Sequence, residues 1–476
     1  MTDAPSRETS TQETYSPGGF CPLTFHDATE GFSKGTDTPR DYLERCLATI
    51  ASREPVVQGW VCMNEAGARE AADASSARWK SGTPLSPIDG MPIGIKDLLE
   101  TRDMPTRMGS PLFKDNHPKR DSALVQALRQ AGAVVLGKTV TTELGMSHPG
   151  PTTNPFDASR TPGGSSSGSA AVVGARMVPA AIGTQVVGSV IRPASFCGNW
   201  ALKPTQGALN RGERQGLSHS TVGVHAGMAE DMWLVAAEIA KRAGGDPGYP
   251  GLFGPAAPPD PRKPARLAVL HGEGWPLTEP ATRAAFERVL AALGGRGVAL
   301  LLPGENKLLD ALEASVADAM SLSTEMCAFE MRWSVENMIA QHKDGISASL
   351  RARLELGRAM STDDYRDLLR RRTEARTRLA ALAPLVDGFV APAAIGPAPK
   401  LGTEAGTRGT IVHTTGDPSY NAMSSILGAP VVTVPLMAVG GLPVGVQVMG
   451  QQHDDAAIAA IARWMAAEVP PVEANG

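Results

Sequence analysis

Apolar positions recur along this chain at two alternating periods, and the alternation predicts the architecture. The stretch TPRDYLERCLATIASRE (residues 38–54) opens on a Thr-Pro start signal and carries apolar residues at helical spacing. MPIGIKDLLE (91–100) is a short strand running into a turn, and SALVQALRQAGAVVLGKT (122–139) reads as helix, Gly-containing turn and buried strand. SAAVVGARMVPAAIGT (169–184) repeats that order with small residues. Beyond residue 264 ARLAVL is a strand, EPATRAAFERVLAALGGRG a helix and VALLLP a strand. Residues 305–385 are helical, with many Arg and Glu on solvated faces, and DGFVAPA, APVVTVPLM and PVGVQVMG return to strands. Strands alternating with helices from 90 to 450 predict an α/β fold, with a large mixed β-sheet covered by helices on both faces.

Boundaries follow from composition. Residues 1–20 are expected to be a disordered tail, 21–471 one domain with a helical insertion at 305–385, and 472–476 a loose tail. The Pro/Gly-rich stretch 244–264 is the clearest internal seam. A net charge of −4 and 5% aromatic content offer neither a basic stripe nor a stacking platform, so no nucleic-acid partner is expected. No apolar run approaches the ~20 residues of a membrane span, and no membrane partner is expected. The polar N-terminus lacks a signal-peptide core, and five widely spaced cysteines include no CxxC, which predicts a reduced cytoplasmic setting. Nine histidines without an HxH or HxxxH pair announce no metal site.

The chemistry concentrates in TPGGSSSGSAAV, residues 161–172. A flexible Gly/Ser linker is the first reading, but a linker leads to a domain start, whereas this run leads into a packed α/β segment. A phosphate loop is the second, since GAVVLGKT at 132–139 fits the GxxxxGK[ST] pattern. There the variable positions Ala133 to Leu136 are themselves the apolar strand, which leaves Lys138 and Thr139 at a strand end, away from any phosphate cradle. Catalysis is the third reading. Ser189 lies in GTQVVGSVIRPASFCG and Lys96 in GMPIGIKD, and a neutral lysine can serve a nucleophilic serine as base. Alone, Lys96 reads rather as a surface ion pair with Asp97.

With these blocks in place the chain resembles the amidase signature hydrolases, from about residue 20 to 465. The resemblance is carried by GMPIGIKDLLET, LGKTVTTELG, NPFDASRTPGGSSSGSAAVV, GTQVVGSVIRPASFCG, LKPTQG, TGDPSYNAMSSILGAPVVTVP and GGLPVGVQVMG. It implies the amidase-signature fold and an amidohydrolase, acting on linear carboxylic amides or related carbamoyl and aryl amides through a serine acyl-enzyme. It places the catalytic lysine at Lys96, the bridging serine on a cis peptide bond at Ser165, and the nucleophile at Ser189. The oxyanion hole falls on the backbone amides of Val186, Val187, Gly188 and Ser189, with Gly163, Gly164, Thr184 and Gln185 in support. No cofactor and no metal are implied. The partner expected is a small-molecule amide, with a homodimer as the one assembly weighed. Two rival functions share the fold: the A subunit of a tRNA-dependent amidotransferase that releases ammonia from glutamine, and a non-catalytic binding protein.

Several positions depart from the family pattern. Gln185 stands where the family commonly has Asp, Val187 and Ser167 where it has Gly, and Ile191 where it has Arg, with Arg192 one place later. Loss of the Asp at Gln185 and movement of the Arg to Arg192 together suggest that a structural ion pair has been replaced. Ser166, Ser167 and Ser169 are expected to shape the turn or cap a helix, Cys197 to be a small core residue, and His148 and His219 to be solvated or structural. The substrate pocket is expected between segments 108–118, 145–153 and 215–225 and the helical insertion, none of which spells a preference.

Overall fold

In the computed structural model, residues 14–146, 148–212, 216–342, 345–403, 407–408 and 411–476 are described. Among them, the β-rich runs become β1 (Trp60–Met63), β2 (Pro92–Lys96), β3 (Val134–Thr139), β4 (Ala180–Gln185), β5 (Trp200–Lys203), β6 (Thr221–Ala226), β7 (Arg266–Val269), β8 (Ala299–Leu301) and β9 (Gly388–Pro392). A two-stranded ribbon, β10 (Thr407–Arg408) and β11 (Ile411–Val412), precedes β12 (Val431–Val439), β13 (Leu442–Met449) and β14 (Val472–Ala474).

All but the ribbon join one twelve-stranded mixed sheet, ordered β1-β3-β2-β4-β6-β5-β12-β13-β9-β7-β8, with β14 beside β12. Two parallel patches, β3-β2-β4 and β9-β7-β8, flank an antiparallel centre. Parallel neighbours need a crossover. Helix Ala123–Gln130 supplies it between β2 and β3 and Pro280–Gly295 between β7 and β8, while Ser167–Gly174 carries the chain from β3 across β2 to β4. Residues 244–264 divide the chain but not the sheet, because β5 from one side pairs with β12 from the other.

The two-residue period of each strand splits the interior into faces. Val135, Ala180, Ile182, Val390, Val432 and Val434 enter one continuous core along the whole sheet. Their neighbours Val134, Leu136 and Ala181 pack on the other face with helices Pro39–Val57, Glu65–Lys80 and Ser167–Gly174. Further along that second face, Phe389, Ala391 and Val431 pack with helices Ala319–Gln341 and Ser419–Leu427. Strands buried on both sides read as near-continuous apolar runs, as β12 and β13 do.

Both expected tails depart from the sequence reading. Val472–Ala474 pairs in parallel with β12, Val472 opposite Met437, so the last residues extend the sheet. Tyr15 is buried, donates its backbone N–H to Gly441, and stacks edge-on with Phe156. Residues 1–13 of the expected N-terminal tail lie outside the described residues. Among its described residues, the region 305–385 holds four helices, Lys307–Ser315, Ala319–Gln341, Ala348–Ala359 and Thr362–Ala381.

Candidate active site

β2 and β4 run parallel with Ile95 opposite Ile182, so their carboxyl ends emerge side by side. Crevices beyond such strand ends are where open α/β sheets gather ligands. Lys96 ends β2 and Gln185 ends β4. Ile93 and Ile95 face the continuous core, so the strand period turns Lys96 toward helix Ser167–Gly174. That helix is built of small residues and is wholly buried. A Cβ on Gly168 would lie 2.3 Å from both Gly59 O and Val140 N, so only glycine permits so close an approach.

Lys96 is 0% exposed. Its Nζ lies 2.7 Å from Ser165 Oγ, 2.9 Å from Thr184 Oγ1, 3.0 Å from Ser166 Oγ and 3.2 Å from Thr184 O. These four oxygens are all uncharged, and burial alone holds the Lys96 pKa well below the ordinary lysine value. A neutral amine keeps a lone pair, so the Ser165 contact can also run from hydroxyl to nitrogen. The surface pair with Asp97 does not form. Asp97 instead meets Lys138 at 3.0 Å, both side chains fully buried, which also shows why the GAVVLGKT match cradles no phosphate. The Lys138 ammonium is spent on that carboxylate, on Thr106 Oγ1 at 2.7 Å and on Pro105 O.

The serine loop is laid against this lysine by backbone contacts. The Gly164–Ser165 peptide bond is cis, and Gly163 has φ +86° with no room for a side chain, since a Cβ would sit 2.7 Å from Pro193 Cα. Ser165 O accepts from Thr142 N at 3.3 Å, and Ser166 N donates to Ser189 O at 3.4 Å, which ties the two serine blocks together. Ser189 is partly exposed at the end of the loop that follows β4. Among the described residues, the amides of Val187, Gly188 and Ser189 donate to no backbone carbonyl. A cavity of about 100 Å³, lined by Thr142, Thr161, Gly163, Ser167 and Thr415 among others, borders the same loop.

Ser166 corrects one expectation. It occupies the N-cap position of its helix, yet its hydroxyl makes no cap bond; it serves Lys96 and Thr184 instead. Ser169 Oγ bonds Thr139 Oγ1 at 2.7 Å and Ile182 O at 2.9 Å, a packing role. Cys197 is buried, as a small core residue should be. His148 is exposed, and buried His219 bonds Ser323 Oγ at 2.9 Å. The sequence reading passed over His225. It is fully buried, its ring nitrogens have no hydrogen-bond partner among the described residues, and it stays neutral because burial and the neighbouring Lys96 push its pKa down to about 3. A Cβ on Gly183 would meet His225 Nε2 and Ser166 Oγ, each at 2.8 Å, so the ring stands directly behind the serine that contacts Lys96.

The unusual residues around Ser189 form a substitute brace. Gln185 Oε1 accepts from Val190 N at 2.9 Å and Ile191 N at 3.1 Å, while its Nε2 donates to Ser425 Oγ, which in turn donates to Val187 O. Arg192 donates to Gly164 O at 2.6 Å and to Thr415 O at 2.9 Å. Burial lowers its pKa to about 10, with Asp417 pulling it back up. A neutral amide thus does locally what a carboxylate would do, and the arginine holds the carbonyl just before Ser165. Replacing Gln185 by leucine orphans two buried amides, each costing about 1–3 kcal/mol. Gln185→Leu is expected to unfold at a clearly lower urea midpoint with an unchanged m-value.

Among the described residues no helix is long and apolar enough to cross a membrane. A family model described as Amidase matches residues 41–458. The A subunit of glutamyl-tRNA(Gln) amidotransferase from Chloroflexus aggregans (strain MD-66 / DSM 9485) is 32% identical over 475 residues, covering 92% of this chain and 94% of that protein. The AtzE subunit of 1-carboxybiuret hydrolase from Pseudomonas sp. (strain ADP) is 31% identical over 448 residues, covering 88% and 93%. A solved structure, described as an unexpected vestigial protein complex that reveals the evolutionary origins of an s-triazine catabolic enzyme, matches with a TM-score of 0.81. It is 27% identical, covering 94% of this chain and 100% of that one.

These relatives overturn the expectation that the partners are limited to a small-molecule amide and possibly a second copy of the chain, with no nucleic acid. Two are named as subunits, one of them for a tRNA, and the structural neighbour is a protein complex. The net charge of −4 misled because it averages the whole surface and is silent about local docking patches. Fold, site and relatives agree on one conclusion: the chain belongs to the amidase family.

Proposed function

We propose that this amidase-family enzyme cleaves a carboxylic amide to acid and ammonia or amine, with Ser189 as nucleophile, Ser165 as bridge and Lys96 as base. The supporting observation is the contact of 2.7 Å between Lys96 Nζ and Ser165 Oγ, buried among uncharged oxygens. An amide resists hydrolysis because its carbonyl is a poor electrophile and an amine a poor leaving group, so both steps need a managed proton. Ser189 Oγ attacks the carbonyl carbon as its proton passes to Ser165 and the proton of Ser165 passes to Lys96. The amides of Val186, Val187, Gly188 and Ser189 hold the oxyanion, each donor worth about 3–4 kcal/mol in comparable sites. When the C–N bond breaks, the same path returns a proton to the leaving nitrogen. Water then attacks the acyl ester by the same route. Thr184 and Ser166 keep the amine of Lys96 oriented throughout.

A second reading is the A subunit of a tRNA-dependent amidotransferase, which the relative from Chloroflexus aggregans favours. Because the relatives are subunits, a protein partner belongs to both readings. A cytoplasmic setting is part of the same proposal, supported by five free cysteines, three of them buried. Assaying the purified chain against amides, carbamates and hydrazides separates the two. Release of ammonia or amine without added protein is expected. Release confined to glutamine, and only with partner subunits and tRNA present, would replace the first reading by the second.

A further inference from the structure

The four segments expected to shape the pocket converge on one apolar cluster. Leu112, Leu144, Met146 and Leu217 pack against buried side chains of the hairpin formed by helices Ala319–Gln341 and Ala348–Ala359, including Val335 and Leu350. Val335 and Leu350 are buried, whereas the four loop residues, like Met338 and Ile339 of the hairpin, are only partly buried, so part of the cluster's hydrocarbon stays accessible.

Two of these loop residues flank the turn beside the proposed catalytic serines. Gly145 sits between Leu144 and Met146, and a Cβ on it would be 3.7 Å from Ser165 Oγ. Thr142 N, one turn earlier, donates to Ser165 O. Glu143 is the turn's only ionisable group and is already engaged. Its carboxylate accepts from Ser347 N at 3.2 Å and from Ser347 Oγ, which caps helix Ala348–Ala359. The same carboxylate therefore clips the hairpin onto the turn that touches Ser165. A wall of methyl, methylene and thioether groups gives no counter-charge to an ammonium or carboxylate, and burying an unpaired charge against it is costly.

We infer that this wall selects amides carrying an uncharged aliphatic or aromatic group next to the scissile bond, and disfavours charged amino-acid amides such as glutamine. The inference rests on the amide-hydrolysis reading above and names the substrate class of that site. Burying each additional methylene is worth roughly a fourfold gain in kcat/KM.

The test is kcat/KM of the wild-type chain along acetamide, butyramide and hexanamide, with glutamine as the charged comparison. A rise on the order of a hundredfold from acetamide to hexanamide is expected, with glutamine well below hexanamide. In Met146→Gln the hexanamide-to-acetamide ratio is expected to fall about tenfold. A flat series, or glutamine preferred over hexanamide, would overturn the apolar wall and leave amide hydrolysis standing. Calorimetric binding to Ser189→Ala separates the opposite failure. If the wild type cleaves none of these amides while Ser189→Ala still binds hexanamide more tightly than acetamide, the wall stands and the hydrolysis reading falls.

Discussion

Lys96→Ala is expected to stop acylation, lowering single-turnover amide cleavage by roughly four to six orders of magnitude, as for members of catalytic units that act together. The base cannot be replaced locally. Every oxygen around Nζ belongs to a hydroxyl or a carbonyl, and His225 behind Ser166 is held neutral with its pKa near 3. In the wild type, activity rises with pH as Lys96 loses its proton. Because burial has lowered its pKa, the rise is complete well below the ordinary lysine value of 10.5. Stability carries the same signature with a fixed sign. Between the lowered native pKa and 10.5 the unfolded chain binds a proton that the native chain does not, so unfolding free energy increases with pH across that window. Lys96→Met removes this slope, and its stability advantage over wild type is expected to grow as pH falls through the window. Wild-type-like turnover in Lys96→Ala, or identical pH–stability curves, would remove the lysine from the mechanism.

What could be read from the sequence, and what could not, divides along physical lines. The strands buried on both faces announced themselves as apolar runs, and the small-residue helix after the glycines showed that something had to approach closely. β5 and β6 were missed because Trp200–Lys203 is short and Thr221–Ala226 carries a glycine and a histidine. Register made them central strands all the same, with Ala201 opposite His225. Both terminal segments are polar enough to look loose, and only tertiary pairing orders Tyr15 and Val472. Within the site, the blocks around Lys96, Ser165 and Ser189 could be placed by resemblance, but Ser166 looked like a cap. Helix-capping preference is local, and here a buried amine competes for the same hydroxyl and holds it. The brace by Gln185 and Ser425 spans 240 positions of sequence and leaves no local trace. The apolar cluster beside Ser165 is likewise a product of convergence. Single leucines and methionines in separate loops carry no pattern until the hairpin gathers them.

Ser189→Ala is the companion result, and it is expected to cost as much as loss of Lys96 while failing differently. The contact between Ser165 and Lys96 stays intact, because it does not involve the Ser189 side chain, and the Ser189 carbonyl that accepts from Ser166 N is retained. Residual hydrolysis would rely on the oxyanion amides and on substrate binding, which in related constellations sustain about 10³–10⁴-fold over water. Substrate affinity should therefore persist in Ser189→Ala, while no acyl group accumulates on the protein. Intact mass spectrometry followed by peptide mapping, with a slowly deacylating ester, distinguishes the cases: the wild type gains the acyl mass on the peptide containing Ser189, and the variant gains none. If Ser165→Ala still acylates, only far more slowly, the bridge moves protons and the nucleophile lies at Ser189. An adduct mapped to Ser165, or a Ser189→Ala chain with undiminished turnover, would reassign the nucleophile. The non-catalytic alternative makes its own claim, since a binding protein on this fold would form no adduct in either chain.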